Sequence, residues 1–300
     1  VDSSDLGFRW TLNPYRGCEH GCAYCYARPT HEWLGLSAGL DFETRIFAKP
    51  EAPRLLSEHL ANPRWQPEPI VISGVTDPYQ PVESKMAITH ACLKVCAEAR
   101  QPVVLVTKSR LILRDLDLLQ TLAKHRAVKV AISVTSLDNE LSAKLEPRAA
   151  APRERLWVIQ RLASAGIPVH VMVAPIIPAL TDRQMPSILE AAAQRGAQSA
   201  AYVLLRLPHQ LKQLFAEWLE QHYPQRKDHV MNLLRQCHEG KLYHAEFGRR
   251  GRGTGAYAQQ LAQSFALFRR RYHLDAQGPP LNSKAFRRPC HTEQLPLFAG

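Results

Sequence analysis

Five short, apolar, β-branched runs between Pro69 and Leu204 constrain the fold of this chain more than any other feature. They are Ile70–Ile72, Val103–Val106, Val128–Val134, Ile167–Val173 and Ala200–Leu204, spaced about 25 to 39 residues apart. The segments between them read as helices with recognisable ends. Pro152 suits the first turn of a helix ending near Gly166, and Thr181 is placed to cap one running toward Gly196. Repeated β/α units of this length build a parallel sheet. A further strand near Phe8–Leu12 brings the count to six. A closed eight-unit barrel typically takes ~250 residues, and only about 205 are available here. The expected fold is therefore α/β, an incomplete (β/α)6 barrel, with its ligands at the carboxyl ends of its strands.

The chain changes character after residue 205. Leu211, Leu214, Phe215, Trp218 and Leu219 trace one helical stripe, Val230, Leu234 and Cys237 a second, and Tyr257, Leu261, Phe265, Phe268 and Tyr272 a third. A glycine- and arginine-rich stretch, Phe247 to Gly255, reads as a flexible basic loop. Beyond Gln277 the periodicity ends. The expected organisation is a barrel over 1–205 with a cysteine-bearing loop at 13–30, a basic helical extension over 206–280, and a flexible tail over 281–300. The chain carries a net charge of +11, and residues 206–300 hold 15 basic against 7 acidic side chains, which favours an anionic partner. At 45% apolar and 22% charged residues the composition excludes a disordered chain. No apolar stretch approaches the ~18 to 20 residues of a membrane span. A start at Val1 rather than Met points to a segment removed upstream.

Three of the seven cysteines fall within eight residues, Cys18, Cys22 and Cys25. Such spacing makes a poor disulfide framework and a good metal clamp in a reducing compartment, so a cytoplasmic location is expected. Three thiolates can hold three irons of a [4Fe–4S] cluster and leave the fourth iron open for chemistry. The alternative is a zinc site completed by His20 or His31.

The Cys18-x3-Cys22-x2-Cys25 spacing, with Tyr24 before the third cysteine, resembles the signature of the radical S-adenosylmethionine (SAM) superfamily. The resemblance implies that the open iron binds the amino and carboxylate groups of SAM. Reductive cleavage then gives methionine and a 5′-deoxyadenosyl radical that abstracts hydrogen from a substrate, with an electron donor such as flavodoxin or ferredoxin. The segments Cys18 to Tyr26, Ser73 to Pro81 and Val106-Thr107-Lys108 further resemble the spore photoproduct lyase-like (DNA repair photolyase-like) group, over roughly residues 8–205. That likeness implies that Thr76 and Asp77 meet the SAM amino group and Lys108 its carboxylate. Ser133 and Thr135 would bond the ribose, and Glu146-Pro147-Arg148 and Ala174 to Pro178 would line the SAM site.

One departure stands out. The group's hydrogen-returning cysteine, two residues before the Asp, is Val75 here. Tyr24 and Tyr26 match the tyrosines of the lyase's radical relay, but the cysteine they serve is absent, so the lyase reaction does not carry over. Cys92, Cys96 and Cys237 lie on apolar helical stripes and read as core, which leaves Cys290 as the candidate substitute thiol.

Arg249, Arg250 and Arg252 in the glycine-rich loop, with Arg269 and Arg270 at a helix end, are candidate phosphate contacts. Arg269 and Arg270 also suit the carboxyl end of their own helix. At the end of the chain Gln294, Leu295, Pro296, Leu297 and Phe298 resemble the pentapeptide by which bacterial repair proteins dock on the DNA sliding clamp. The leading expectation is a radical SAM enzyme acting on a nucleic acid base, DNA favoured. The alternatives are a radical SAM enzyme for a peptide or small molecule, and a non-catalytic metal-containing module that binds nucleic acid.

Overall fold

In the computed structural model, residues 8–246, 249–276, 278 and 280–289 are described. Six parallel strands form one sheet in strict chain order: β1 (Trp10–Leu12), β2 (Ile70–Ile72), β3 (Val103–Thr107), β4 (Val128–Ser133), β5 (Val169–Ile176) and β6 (Ser199–Leu204). Val103 pairs with both Ile70 and Val128, and Val130 with Val169, so the β-branched runs seen in the sequence meet in register. Strands with both faces covered carry nearly continuous apolar runs, which is why they were legible.

The strand order never reverses, so successive helices lie side by side. Helix α1 (Ala52–Ala61) packs on α2 (Ile88–Ala99), α2 on α3 (Leu116–Lys124), and, after α4 (Asn139–Leu145), α5 (Pro152–Ser164) on α6 (Met185–Ala193). Pro152 does occupy the first turn of α5, and Gly166, at φ +76°, turns the chain just after it. Thr181 does not cap α6. A 3-10 turn at Asp182–Gln184 intervenes, and the Thr181 hydroxyl instead accepts the Ile177 N–H.

The extension is not a separate body. Helices α7 (Leu211–His222) and α8 (Pro224–Cys237) pack together, and Phe215, Leu219, Val230 and Leu234 share a core with Leu141, Leu145, Cys22 and Tyr24. Trp218 Nε1 donates to the Lys144 carbonyl. Burial of Phe215 alone contributes roughly 2 kcal/mol to this junction. The boundary expected at 205 is thus crossed by continuous packing.

Helix α9 (Gly255–Arg271) lies against α6 and β6. The loop before it, expected to be flexible, is docked over residues 249–254. The Leu204 N–H donates to the Gly251 carbonyl, and Gly253, at φ +74°, sits where a side chain would strike Leu204. After α9, the Ala200 N–H donates to Leu274 and Ser199 bridges Asp275. The extension therefore covers the exposed edge of β6, where a partial barrel would otherwise present unpaired backbone groups.

Residues 281–289, assigned from composition to a flexible tail, are anchored as well. Asn282 N–H donates to the Arg126 carbonyl, Arg287 N–H to Ala99, and the Arg288 guanidinium to carbonyls of Leu60, Asn62 and Trp65. The acceptors lie in the turns and helix ends that precede the strands, so this strap crosses the sheet at its amino end. Cys290 and the tail residues Gln294, Leu295, Leu297 and Phe298 lie outside the described residues. Among the described residues, no helix is long and apolar enough to cross a membrane.

Candidate functional site

A cavity opens at the carboxyl ends of the strands, where a βα fold exposes its loop side chains. Cys18, Cys22 and Cys25 line it together with Tyr24, Tyr26, Val75, Thr76, Asp77, Lys108 and Ser133. The topology thus brings residues from the ends of β1, β2, β3 and β4 to one place.

The cysteine loop is fastened to the barrel from several sides. The Cys18 N–H donates to Phe42, and Ala23 N–H to Leu145. Arg28, 5% exposed, donates to the carbonyls of Cys22, Gly21 and Gly39 and pairs with Glu43. Gln80 reaches across from the loop after β2: its Nε2 donates to the Gly17 carbonyl and its Oε1 accepts the Glu19 N–H. Thr76 spends its hydroxyl on the same Gly17 carbonyl.

Asp77 is the polar anchor of the floor. It accepts the Thr107 hydroxyl at 2.7 Å, the Lys108 N–H at 2.8 Å and the Tyr79 N–H at 2.9 Å, with His20 Nδ1 at 3.4 Å. Burial alone would raise its pKa, but His20 and these donors hold it at about 2. Asp77 stays ionised throughout the working range.

Lys108 points into the cavity. Its Nζ donates to Ser133 Oγ at 3.3 Å and stands 5.8 Å from the centre of the Tyr24 ring. Among the described residues it forms no ion pair. Burial works against its charge, yet the Cys22 sulfur and Glu146 outweigh burial and lift its pKa above the ordinary lysine value. The ammonium therefore remains charged, with no carboxylate in contact.

Beneath Lys108 lies a buried network that sequence reasoning resolved only in part. Glu146 pairs with Arg155 at 0% and 2% side-chain exposure, and accepts the hydroxyls of Tyr24 and Thr135. Burial would raise the Glu146 pKa, but Arg155 and then Lys108 hold it at about 2. Arg155 also donates to the carbonyls of Ser133 and Ala150, tying α5 to the end of β4. Removing one partner of such a pair strands a buried charge. No local pattern marks Arg155, which reads as an ordinary charge on an amphipathic helix. Likewise nothing in the spacing marked Gln80.

Several expected ligands sit differently from the sequence reading. Thr135 is 1% exposed and bonds Glu146 and the Ala174 carbonyl, so its hydroxyl faces the network rather than the cavity. Arg148 is turned outward, donating to the Glu19 carbonyl and pairing with Glu43, and lines a separate surface cleft. Tyr24 is 7% exposed, whereas Tyr26 is 43% exposed and donates to the Gly74 carbonyl. Of the two histidines proposed for zinc, His20 lines the same cavity next to Cys18, and His31 lies outside it. His20 faces Asp77, and His31 is buried with Nε2 3.0 Å from the Arg45 carbonyl and its ring edge-on to Phe42. Among the described residues, no three His, Cys, Asp or Glu side chains converge as a single-ion site requires.

The candidate phosphate contacts divide between the two ends of the sheet. Arg249 pairs with Glu246 and Glu239, and Arg252 lies 4.4 Å over the Tyr202 ring. The Arg250 charge has only a minor effect on the Tyr26 phenol, whose pKa burial raises. Arg269 closes its own helix by donating to the Leu274 carbonyl, and Arg270 donates to Ala266. Asp275, just beyond them, bridges to Ser199 at the start of β6, which puts both arginines at the end of the sheet away from the cavity. Cys92, Cys96 and Cys237 are each fully buried in the core.

Comparison with known proteins agrees with this geometry. An uncharacterized protein of Mycobacterium tuberculosis is 35% identical over 237 residues, covering 78% of this chain and 70% of that protein. One of Methanocaldococcus jannaschii is 26% identical, covering 75% and 81%. Among solved structures, spore photoproduct lyase complexed with dinucleoside spore photoproduct superposes with a TM-score of 0.63 at 17% identity, covering 90% of this chain and 76% of that one. A double mutant of the lyase with bound SAM (AdoMet) and the same dinucleoside gives 0.60 at 18%. At these identities the likeness establishes the fold. The sequence model of the radical SAM superfamily matches residues 12–192, more than half the chain and every cavity-lining strand end but the last, and the protein belongs to that superfamily.

Proposed function

We propose that this radical SAM enzyme abstracts hydrogen from a base of a nucleic acid, DNA first, in repair or modification. The observation that carries the reading is the path of the basic extension. It folds back along β6 so that loop 249–254 lies beside the cavity, with the Gly251 carbonyl bonded to the N–H of cavity-lining Leu204. Positive charge at the opening of a site draws an anionic polymer toward it. The reading is supported by the shared fold with spore photoproduct lyase, which is solved with a dinucleoside photoproduct bound.

Enzymes of this superfamily use a [4Fe–4S] cluster and SAM, and the residues present fit both. Three thiols border one cavity, and a buried ammonium beside them has no carboxylate in contact. Cys18, Cys22 and Cys25 would hold three irons, Lys108 would pair with the SAM carboxylate, and Asp77 would face its amino group. When bound, the two groups supply a 5′-deoxyadenosyl radical. The chain's own part is to orient and to shield. Gln80, Thr76 and Arg28 fix the cysteine loop, Glu146 and Arg155 hold Tyr24 against Lys108, and α7 with α8 closes the outer side of the loop from water. The non-catalytic module is set aside by membership of an enzyme superfamily.

The test is isotopic. Base-deuterated DNA, incubated with reduced enzyme and SAM, should pass deuterium to 5′-deoxyadenosine, read by mass spectrometry. SAM cleavage with no label acquired from any DNA or RNA substrate would overturn the nucleic acid reading.

Val75 limits which reaction this is. It lines the cavity and packs beside Cys18 and Phe42, where a thiol would be needed to return hydrogen to a product radical. Spore photoproduct given to the purified enzyme should not be repaired over multiple turnovers, as judged by chromatography of the digested DNA. Efficient repair, with Cys290→Ala still active, would show that another group returns the hydrogen.

The tail should dock on the sliding clamp. Leu297 and Phe298 would enter an apolar pocket with Gln294 at its rim and Leu295 between, and Pro296 lowers the ordering cost. A five-residue motif supports only micromolar affinity, ~8 kcal/mol. Deleting residues 294–298 should abolish clamp binding in surface plasmon resonance and leave SAM cleavage intact. Retained clamp binding after that deletion would remove the motif from the account.

A further inference from the structure

Besides His20, which is paired with Asp77, two cationic side chains face the cavity, and only one is accounted for. Lys108 lies on the buried floor beside the cysteines. Arg206, two residues past the end of β6, lines the same cavity at its exposed side, next to Tyr26. Its guanidinium stands 4.2 Å from the centre of the Tyr26 ring, and its buried Nε has no hydrogen-bond acceptor among the described residues. No ion pair among the described residues includes it.

The neighbours of Arg206 hold it in place. Leu204, Leu205 and Leu207 are each at most 1% exposed, and the Leu205 carbonyl faces His238 Nε2 at 3.2 Å. The Tyr26 hydroxyl is in turn fixed on the Gly74 carbonyl. A guanidinium stacked on an aromatic face is pre-oriented and keeps its N–H fork available for another group. Leaving a desolvated N–H without an acceptor is unfavourable, so the arrangement calls for an acceptor supplied from outside. Among the cavity-lining residues the only carboxylate is Asp77, which is already held by His20, Thr107 and the Lys108 backbone.

The geometry points to Arg206 as a substrate anchor that grips a backbone phosphate of the nucleic acid strand whose base enters the cavity, a site distinct from the Lys108 carboxylate site. The inference rests on the nucleic acid reading above and adds to it the group that positions the strand. Floor and rim suit different ligands. A compact ammonium on a buried floor suits the carboxylate of a small molecule held wholly inside. A planar fork at a half-open rim suits a phosphodiester, which offers two oxygens and remains partly in water. Arg206 is thus a binding residue, with Tyr26 as its platform.

The test is the salt dependence of oligonucleotide binding, measured with the full-length holoenzyme by fluorescence anisotropy of a labelled single-stranded DNA. Arg206→Ala and Arg206→Gln should each weaken binding roughly tenfold. Each should also lower the slope of log K against log salt by about 0.7, the share of one phosphate contact on a single strand. Arg206→Lys should retain most of the slope. Far-ultraviolet circular dichroism and cluster absorption report folding, and the glutamine variant, which keeps a longer, polar and uncharged side chain, keeps the test open if alanine disturbs the loop. A wild-type slope in both the alanine and glutamine variants overturns the Arg206 assignment and leaves the nucleic acid reading standing. A wild-type enzyme with no salt-dependent oligonucleotide binding overturns both. SAM affinity lost in Arg206→Gln to the same extent as in Lys108→Ala would also overturn it, by placing Arg206 in the SAM site.

Discussion

Replacing any one of Cys18, Cys22 or Cys25 by alanine should abolish both the brown absorption of the reconstituted cluster and reductive cleavage of SAM. The backbone of the loop is fixed at each cysteine, so none can take over the place of another. Cys18 is tied to Phe42, and Cys22 is held through Arg28. Cys25 is hydrogen-bonded back to the Cys22 carbonyl. Burial, and then the Glu146 carboxylate, pushes the Cys22 thiol up, and burial does the same for Cys25. Thiolates in that setting need the positive charge of bound iron to persist. The measurement is iron and sulfide content with visible absorption after anaerobic reconstitution. A full four-iron cluster in Cys25→Ala would refute the assignment. Cys96→Ala is the control: fully buried in α2, it should lower stability and leave the cluster untouched.

Lys108→Ala should leave the cluster intact and weaken SAM binding by ~2 to 5 kcal/mol, the scale for losing one partner of a buried charge pair. At the low end that is roughly a thirtyfold rise in Kd. The ammonium is aimed by Ser133 and the face of Tyr24, and Asp77 accepts the Lys108 N–H, so backbone and side chain are both constrained. Equilibrium dialysis of SAM against the reconstituted variant gives the answer. Unchanged affinity would send the carboxylate elsewhere. Arg148, which the family resemblance placed along the SAM site, is committed to Glu43 outside the cavity, so the search would move to Arg206.

How much of this was legible differs from element to element. The run Ile70–Ile72 is β2 residue for residue, because a strand buried on both faces must be apolar throughout. The run at Ile167 was displaced: β5 spans Val169–Ile176, since apolar composition reports burial while hydrogen-bond pairing sets the ends. Thr181 has the chemistry of a cap, but its hydroxyl was claimed by the Ile177 N–H four residues back. Glycines and arginines at 248–255 look like a mobile loop on composition alone. In the fold Gly253 adopts positive φ to fit under β6 and Gly255 to fit against Gln236 near the end of α8, demands invisible without the elements they contact.

Local sequence determined what is local in the chemistry: three cysteines on one loop, a basic residue directly after a strand, a valine where a thiol would serve. Those features depend on spacing of a few residues and survive in any fold that exposes the loop. Tertiary structure alone decided which side chains share a cavity. It buried Glu146 with Arg155 and turned Thr135 inward and Arg148 outward. It also set Arg206 on Tyr26, 180 residues apart in the chain, and sent Arg269 and Arg270 to the far end of the sheet. Residues so distant meet only because six strands pair in register. A charged group finds its partner, or is left waiting for one, only after the core has closed around it.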